Sequence, residues 1–326
     1  MILPSLFNPS NDMALAADLC QYTPPRHIRQ MEEDLAELAR FWEGGPWGWS
    51  LATKRHYRQM GIAESLLPSD EWLAEHRRLS SREFGVEYYR TLSNLSLEGR
   101  GNSISQQSVI DAKSVLVPCR ATFVTSYSVP LLLREGLGEG LILKSPWSSS
   151  GRGNILVRDN LDETAIRRIE KIISEQGGIV VEPFYADKEL DFALEFMIAN
   201  EGVRFLGYSV FFADEMGHYG GNCVESQDEL LRRIALPEAL LQHLIDYHLS
   251  QLSRLSYRGP VGIDMMRLSD GRVHPCVEIN FRRTMGLLAL ALYNKGITGN
   301  QLLAGNPRQG FSAQIVDGRL TIVCHS

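Results

Sequence analysis

Glu278 and Asn280 stand two residues apart at the end of a run that also contains Asp264, and oxygen-bearing side chains of these types suit a hard divalent cation. Two β-prone segments, 259–268 and 272–280, flank Ser269, Asp270 and Gly271. Residues two apart on a strand share a face, so Glu278 and Asn280 point the same way. Whether Asp264 joins them turns on the connection. A three-residue loop with Gly271 left-handed puts the even-numbered positions on one face and sets Asp264 diagonally across from Glu278, at roughly 7–8 Å. A two-residue turn sends Asp264 to the other face, and the run is then a hairpin with polar positions toward water. In the first geometry Asp264, Glu278 and Asn280 are candidate magnesium ligands, because magnesium takes one or two carboxylates and leaves its other positions to water and substrate phosphates.

Upstream lies a second group with chemistry. Lys144 ends the apolar strand 141–144, and Ser148, Ser149, Ser150, Gly151, Arg152 and Gly153 follow it directly. Backbone N–H groups of such loops cradle phosphates. Other phosphate loops do not fit: Gly-x-x-x-x-Gly-Lys-Ser/Thr is absent, and Gly151 to Gly153 lacks the third glycine of a dinucleotide fingerprint. A protein kinase puts its glycine-rich loop before the lysine strand and carries a His-Arg-Asp loop, which is absent here. Glu182, Pro183, Phe184 and Tyr185 then leave the strand 178–184 as an extended segment whose backbone can meet an adenine edge. Glu189, seven residues after Glu182, is a carboxylate able to accept both ribose hydroxyls.

The elements that must position these residues are legible from periodicity. The first 110 residues hold Trp42, Trp47, Trp49 and Trp72, expected as core, with breaks at Pro24-Pro25 and Gly44-Gly45-Pro46. A helix opening near Ser10, Asn11 and Asp12 and another over about 28–41 suggest a small α/β unit. The polar stretch 93–108 reads as a surface connection, so the boundary falls there, with domains 1–110 and 111–326. A β-rich piece is expected at 115–126 and a helical one near 128–135, then strands at 141–144 and 154–157. An amphipathic helix follows over 161–175, with Ile166, Ile169, Ile172 and Ile173 inward and Gly177 as its stop. Strands at 178–184, 190–198 and 203–211 lead to a long helix from Pro237 to about Leu255. His243 and His248 on that helix lack acidic or thiol neighbours and are expected in the core or at the surface.

Composition narrows the class. The chain has 326 residues, 44% of them apolar, enough for a proper core and two domains. A net charge of −6 argues against binding nucleic acid by phosphate neutralisation. Five scattered cysteines without a Cys-x-x-Cys pair favour a reducing compartment and give no zinc signature. With no secretion signal and no apolar run of membrane-spanning length, a cytoplasmic protein without membrane association is expected.

The order of strand lysine, Gly/Ser loop, Glu-Pro-Phe-Tyr hinge, later glutamate, and finally Asp and Glu-x-Asn resembles the ATP-grasp superfamily over about residues 111–295. The resemblance implies two α+β subdomains clamping ATP, about 111–182 and 183–326, behind the small α/β amino-terminal domain. It implies that Lys144 grips the α- and β-phosphates, that Ser148 to Gly153 form a lid, and that Glu182, Phe184 and Tyr185 contact adenine. Glu189 would hold the ribose, and Asp264, Glu278 and Asn280 two magnesium ions, with manganese as a substitute. Arg282 matches an arginine used on phosphate or acyl phosphate, and Lys113 is a weaker match to an earlier nucleotide-binding lysine. Many such ligases carry a basic residue just before the first metal aspartate. Gly262-Ile263 stands there instead, so charge stabilisation falls to Arg282 or Arg283.

The expected activity is that of an ATP-dependent ligase: a substrate carboxylate becomes an acyl phosphate and an amine captures it. Its partners would be small-molecule or peptide-like acids and amines, with a homodimer possible on the same analogy. A kinase on the same scaffold and an ATP-binding sensor without turnover are the alternatives. Acceptor contacts are sought in two polar loops, 218–222 and the segment of Asn8, Asn11 and Asp12.

Overall fold

Strand alternation resolves into two antiparallel sheets flanked by helices. The computed structural model describes residues 2–93, 115–125, 140–148, 153–158 and 161–325. Lys113, Ser149, Ser150, Gly151, Arg152, the helical piece near 128–135 and the connection from 94 onward lie outside the described residues.

The amino-terminal part is helical: α1 (Asn11–Ala17), α2 (Arg26–Asp34), a 3-10 segment (Ala36–Phe41), α3 (Leu51–Gln59), α4 (Asp70–Leu79) and α5 (Arg82–Ser93). Ser50 and Ser69 cap α3 and α4 by accepting from the Thr53 and Trp72 amides. The helix expected over 28–41 breaks at Leu35, where the backbone turns to φ −102° and tightens into the 3-10 segment. Among the described residues the strand character of this part is one parallel bridge between Leu6 and Pro46. Trp47 is buried as expected of a core residue.

The smaller sheet has the order β1-β4-β2-β3, from β1 (Thr122–Val124), β2 (Leu141–Lys144), β3 (Ile155–Val157) and β4 (Ile179–Pro183). Helix α6 (Glu163–Gln176) lies on it, started by the Asp162 carboxylate accepting from the Ala165 amide and ended by Gly177 at φ 83°. Ile169 and Ile173 are buried, whereas Ile166, expected inward, is exposed.

The larger sheet runs β10-β11-β12-β7-β6-β5-β8-β9. Its strands are β5 (Lys188–Ala199), β6 (Gly202–Ala213), β7 (Tyr219–Cys223), β8 (Gly259–Leu268), β9 (Val273–Asn280), β10 (Gln301–Asn306), β11 (Gln309–Val316) and β12 (Arg319–His325). Residues 219–222, expected as a polar loop, pair with β6 and β12 as part of β7. Helices α7 (Gln227–Ile234), α8 (Glu238–Leu252) and α9 (Met285–Asn294) complete the chain. Phe192, Leu194 and Phe196 of β5 share a core with Leu240, Leu241 and Leu244 of α8 and with Tyr88 and Leu92 of α5, so the amino-terminal helices belong to the same packed body. A second core joins Phe7, Leu35 and Trp47 to Leu288 and Leu292 of α9. His248 sits inside the first core, its Nδ1 2.8 Å from the Tyr88 hydroxyl. No described helix is long and apolar enough to cross a membrane.

One buried acid ties the sheet to α9. Glu195 of β5 is 1% exposed and accepts from the hydroxyls of Ser209 on β6 (2.9 Å) and Thr284 (2.9 Å), while Thr284 Oγ1 caps α9 by accepting from the Leu287 amide. This approach needs glycine on both sides. A Cβ at Gly286 would meet Glu195 Oε1 at 2.1 Å and Ser209 Oγ at 2.3 Å, and one at Gly262 would meet Glu195 Oε2 at 2.8 Å. Gly262, where a basic residue is common in the resembled ligases, is therefore the position at which Glu195 enters.

Two expectations follow. Gly286→Ala lowers stability by about 2–3 kcal/mol through overpacking, read as a drop in the urea midpoint; an unchanged midpoint rejects the contact. His76, His248 and His274 are buried, and burial lowers their pKa to about 4, about 3 and about 3. Their folded values lie below the unfolded value near 6.5, so their contribution is full above that pH and is lost as pH falls toward the folded values. Each removes about 2 kcal/mol between pH 7 and pH 5, so the stability change between those two pH values, read by urea titration, should differ between His248→Phe and the unaltered protein by about that amount, with the variant losing less.

Candidate functional site

The hairpin of β8 and β9 has the three-residue connection. The Leu268 amide donates to Arg272 O (2.8 Å), the Gly271 amide to Leu268 O (3.0 Å), and Gly271 takes φ 83°. Asp264 is not diagonal to Glu278 but directly opposite it, and Gly262 is opposite Asn280. The reason is an irregularity between the pairs Met266–His274 and Asp264–Glu278, across which β9 spends two more residues than β8. Pro275 lies in that stretch, where a residue without an N–H is tolerated. A shift by two keeps the side-chain parity, so Asp264, Glu278 and Asn280 still face one cavity.

Asn280 Nδ2 donates to Asp264 Oδ2 at 3.0 Å. Burial first, then the Glu278 and Glu195 carboxylates, push the Asp264 pKa well above the ordinary range, against the pull of Arg282 and Asn280. Glu195 is likewise pushed up to about 7, chiefly by burial. Among the described residues no group of three or more His, Cys, Asp or Glu side chains is placed to hold a metal ion. The donor set is two carboxylates and an amide, which fits magnesium when substrate phosphates and water complete its shell. An excess of buried negative charge at this corner favours a divalent cation on the same grounds.

Two cavities meet at these residues. The larger, about 550 Å³, lies between the sheets and is lined by Lys144, Asn154, Glu182, Phe184, Tyr185 and Lys188, among others. The smaller, about 220 Å³, is lined by Glu195, Ser209, Tyr219, Asn222, Arg282 and Thr284, and by Phe7, Met13, Met31 and Trp47 of the amino-terminal part. Asp264, Glu278, Phe211, Ala213 and Gly217 line both. The β6–β7 turn that carries Gly217 is braced by Asp214, whose carboxylate accepts from the Met216 and His218 amides, and Asn154 Nδ2 donates to Met216 O (2.8 Å), tying the small sheet across the larger cavity.

Lys144 and Glu182 are neighbours on β2 and β4 and form a buried pair at 2.6 Å, so the two residues expected at opposite ends of a nucleotide act as one unit. Removing either leaves a buried charge unpartnered. Phe184 and Tyr185 border the cavity, but the Phe184 N–H is spent on Gly140 O (2.9 Å) and cannot donate to a base. Glu189 is turned away: it sits at a register shift in β5, is about half exposed and pairs with Arg267 at 3.1 Å. Lys188 and Asp191, paired at 2.7 Å, face the cavity instead. Gly153, at φ 95°, closes against Ser145, and Ser148 Oγ accepts from Arg82.

Arg282 and Arg283 part company. Arg282 borders the smaller cavity, held by Asp12 of α1 through contacts of 2.8 to 3.0 Å. Arg283 points into the amino-terminal part, donating to Gly44 O (2.7 Å) with its guanidinium over Trp42, and lines neither cavity. Of the two acceptor segments, Asn222 lines the smaller cavity, while Asp12 reaches the site through Arg282. Glu195 and Arg82 went unseen because both lie in ordinary contexts in the sequence, a strand and a helix start. Only the glycines at 262 and 286 hinted at a close approach.

No protein-family model matches the chain, and no curated protein matches it in sequence. Among solved structures, biotin carboxylase from Campylobacter jejuni, crystallised as a β-γ-ATP complex, is similar with a TM-score of 0.50 at 12% identity, covering 90% of this chain and 71% of that one. N5-carboxyaminoimidazole synthetase from Staphylococcus aureus, complexed with ADP, has a TM-score of 0.47 at 13% identity, over 87% and 72% of the chains. D-alanyl-alanine synthetase A from Vibrio cholerae has a TM-score of 0.38 at 15% identity, over 56% of this chain and about half, 53%, of its own. With its two antiparallel sheets facing one cavity and its likeness to biotin carboxylase over 90% of its length, the chain has an ATP-grasp fold.

Proposed function

We propose that the protein is an ATP-dependent ligase that activates a small-molecule carboxylate and joins it to an amine, releasing ADP and phosphate. The observation that carries this reading is the meeting of two cavities at Asp264 and Glu278. A nucleotide in the larger cavity and an acid in the smaller one would place the terminal phosphate beside the acid's oxygen. That oxygen would bond to phosphorus as the bond to ADP breaks, and the amine nitrogen would then bond to the acyl carbon as phosphate leaves with the C–O bond. The amine's proton needs an acceptor. Magnesium, when bound, would neutralise charge that builds on the phosphates.

This chain's residues have distinct tasks in that scheme. Lys144 and its partner Glu182 would set the position of the nucleotide, and Asp264, Glu278 and Asn280 would hold the metal. Arg282, kept in place by Asp12, would face the developing charge of the acyl phosphate. The amino-terminal residues Phe7, Met13, Met31 and Trp47 would give the acceptor cavity an apolar wall and exclude water from a labile intermediate. Residues 1–110 would thus form a unit that selects the acid, ahead of the nucleotide-binding unit 111–326. The neighbours that hold ADP or ATP analogues support a nucleotide in the larger cavity.

Incubation with ATP, magnesium and panels of acids and amines should yield an amide together with ADP and phosphate in equal amounts. A stable phosphate ester in place of the amide sinks the ligase reading. Glu278→Gln should cut turnover by about a thousandfold or more while changing adenosine affinity by less than about threefold, because it removes charge at the metal and leaves the base contacts. Parallel loss of both, measured by calorimetry and product formation, contradicts the assignment.

A further inference from the structure

The start of α5 delivers an arginine into the metal corner. Arg82 is 7% exposed, and its Nη2 lies 2.8 Å from Glu278 Oε1. Its Nη1 donates to Ser145 O and to Ser148 Oγ, both at 2.7 Å, and the Arg82 amide donates to Pro146 O (2.9 Å). One guanidinium therefore bridges Glu278 on the large sheet and the first residues of the Gly/Ser loop on the small one. The same loop stem is gripped a second time from the amino-terminal part: Trp147 Nε1 donates to Arg77 O (3.0 Å), and the Arg77 guanidinium lies over the Trp147 ring. Arg82 borders the larger cavity, and its Nε is buried without a hydrogen-bond partner among the described residues, so the cation's anchoring by them is incomplete.

We propose that Arg82 is a positioning residue that occupies Glu278 while no metal is bound and is released from it when a divalent cation enters. The argument is one of charge. A guanidinium and a divalent ion drawn to the same half-buried carboxylate repel each other at close range, so the two compete for it. Once released, the fork of Arg82 still holds Ser145 and Ser148 and faces the cavity that would hold phosphate oxygens, its natural bidentate partners. Filling the metal site thereby frees an arginine, held beside Ser145 and Ser148, for the triphosphate. The device rests on the proposed role of Glu278 as a metal ligand.

The test uses the full chain without nucleotide, titrated with Mn²⁺ and followed by the loss of the free-ion electron paramagnetic resonance signal. Removing a competing cation worth about 1 kcal/mol strengthens binding roughly fivefold, so Arg82→Ala should tighten Mn²⁺ by that factor and Arg82→Lys, which keeps a charge near Glu278, should stay close to the unaltered protein. The order should invert with nucleotide: Arg82→Ala weakens Mg-ATP binding about tenfold while adenosine affinity holds. Unchanged or weaker Mn²⁺ binding in Arg82→Ala, with Arg82→Lys behaving alike, overturns the competition, and a purely structural role would lower the melting temperature without this inversion. Glu278→Gln separates the two levels. If it leaves Mn²⁺ binding untouched, the metal role of Glu278 itself fails; if it weakens binding while Arg82→Ala does nothing, only the exchange fails.

Discussion

Asp264 is buried beside Glu278 and Glu195 in a corner of the large sheet, and burial first, then the two neighbouring carboxylates, raise its proton affinity. Keeping carboxylates together under those conditions is unfavourable, and much of the surrounding architecture is the means by which it is tolerated. Asn280 donates to Asp264, the hydroxyls of Ser209 and Thr284 donate to Glu195, and Arg82 pairs with Glu278. Arg282 adds a positive charge at the rim, itself steadied by Asp12. Each compensating group comes from a different element, so the charge cluster also welds α1, α5, β6, β9 and the start of α9 into a common frame.

That frame explains why the cavities lie where they do. The sheet supplies the acids, the small sheet with Lys144 and Glu182 forms the opposite wall of the larger cavity, and the amino-terminal helices close the smaller one. A metal at Glu278 would stand on the line between them. The proposed acyl activation would require charge stabilisation and exclusion of water, and this corner offers carboxylates with two arginines within reach.

The packing has a consequence for how function and stability are coupled. Tyr88, Leu92, His248 and the β5 side chains share one core, and Phe7 and Trp47 pack with α9. The amino-terminal helices are thus structural supports of the site as well as one of its walls. Asp12 and Arg82, which hold Arg282 and Glu278, stand on these helices.

Local pattern was enough for the two strands of the hairpin, the strands around Lys144 and Glu182, the α6 helix with its Gly177 end, and the likeness in motif order, because pleat parity and glycine conformation are short-range properties. Once the connection has three residues, which the structure decided, parity keeps Asp264 on the face of Glu278 whichever even-numbered register β9 adopts. What parity could not supply was the two-residue slip at Pro275 that makes them direct partners, since a bulge depends on the strands on either side. Nor could it supply the outward turn of Glu189 at a break in β5, or the divergence of Arg282 and Arg283 toward Asp12 and Gly44. Arg82 meets Glu278 across 196 positions of chain, and Glu195 meets Thr284 across 89. Such encounters leave no periodic trace, because they are set by how whole elements stack, and so the candidate metal ligands were legible in the sequence while the partners of the carboxylates were decided only by the tertiary structure.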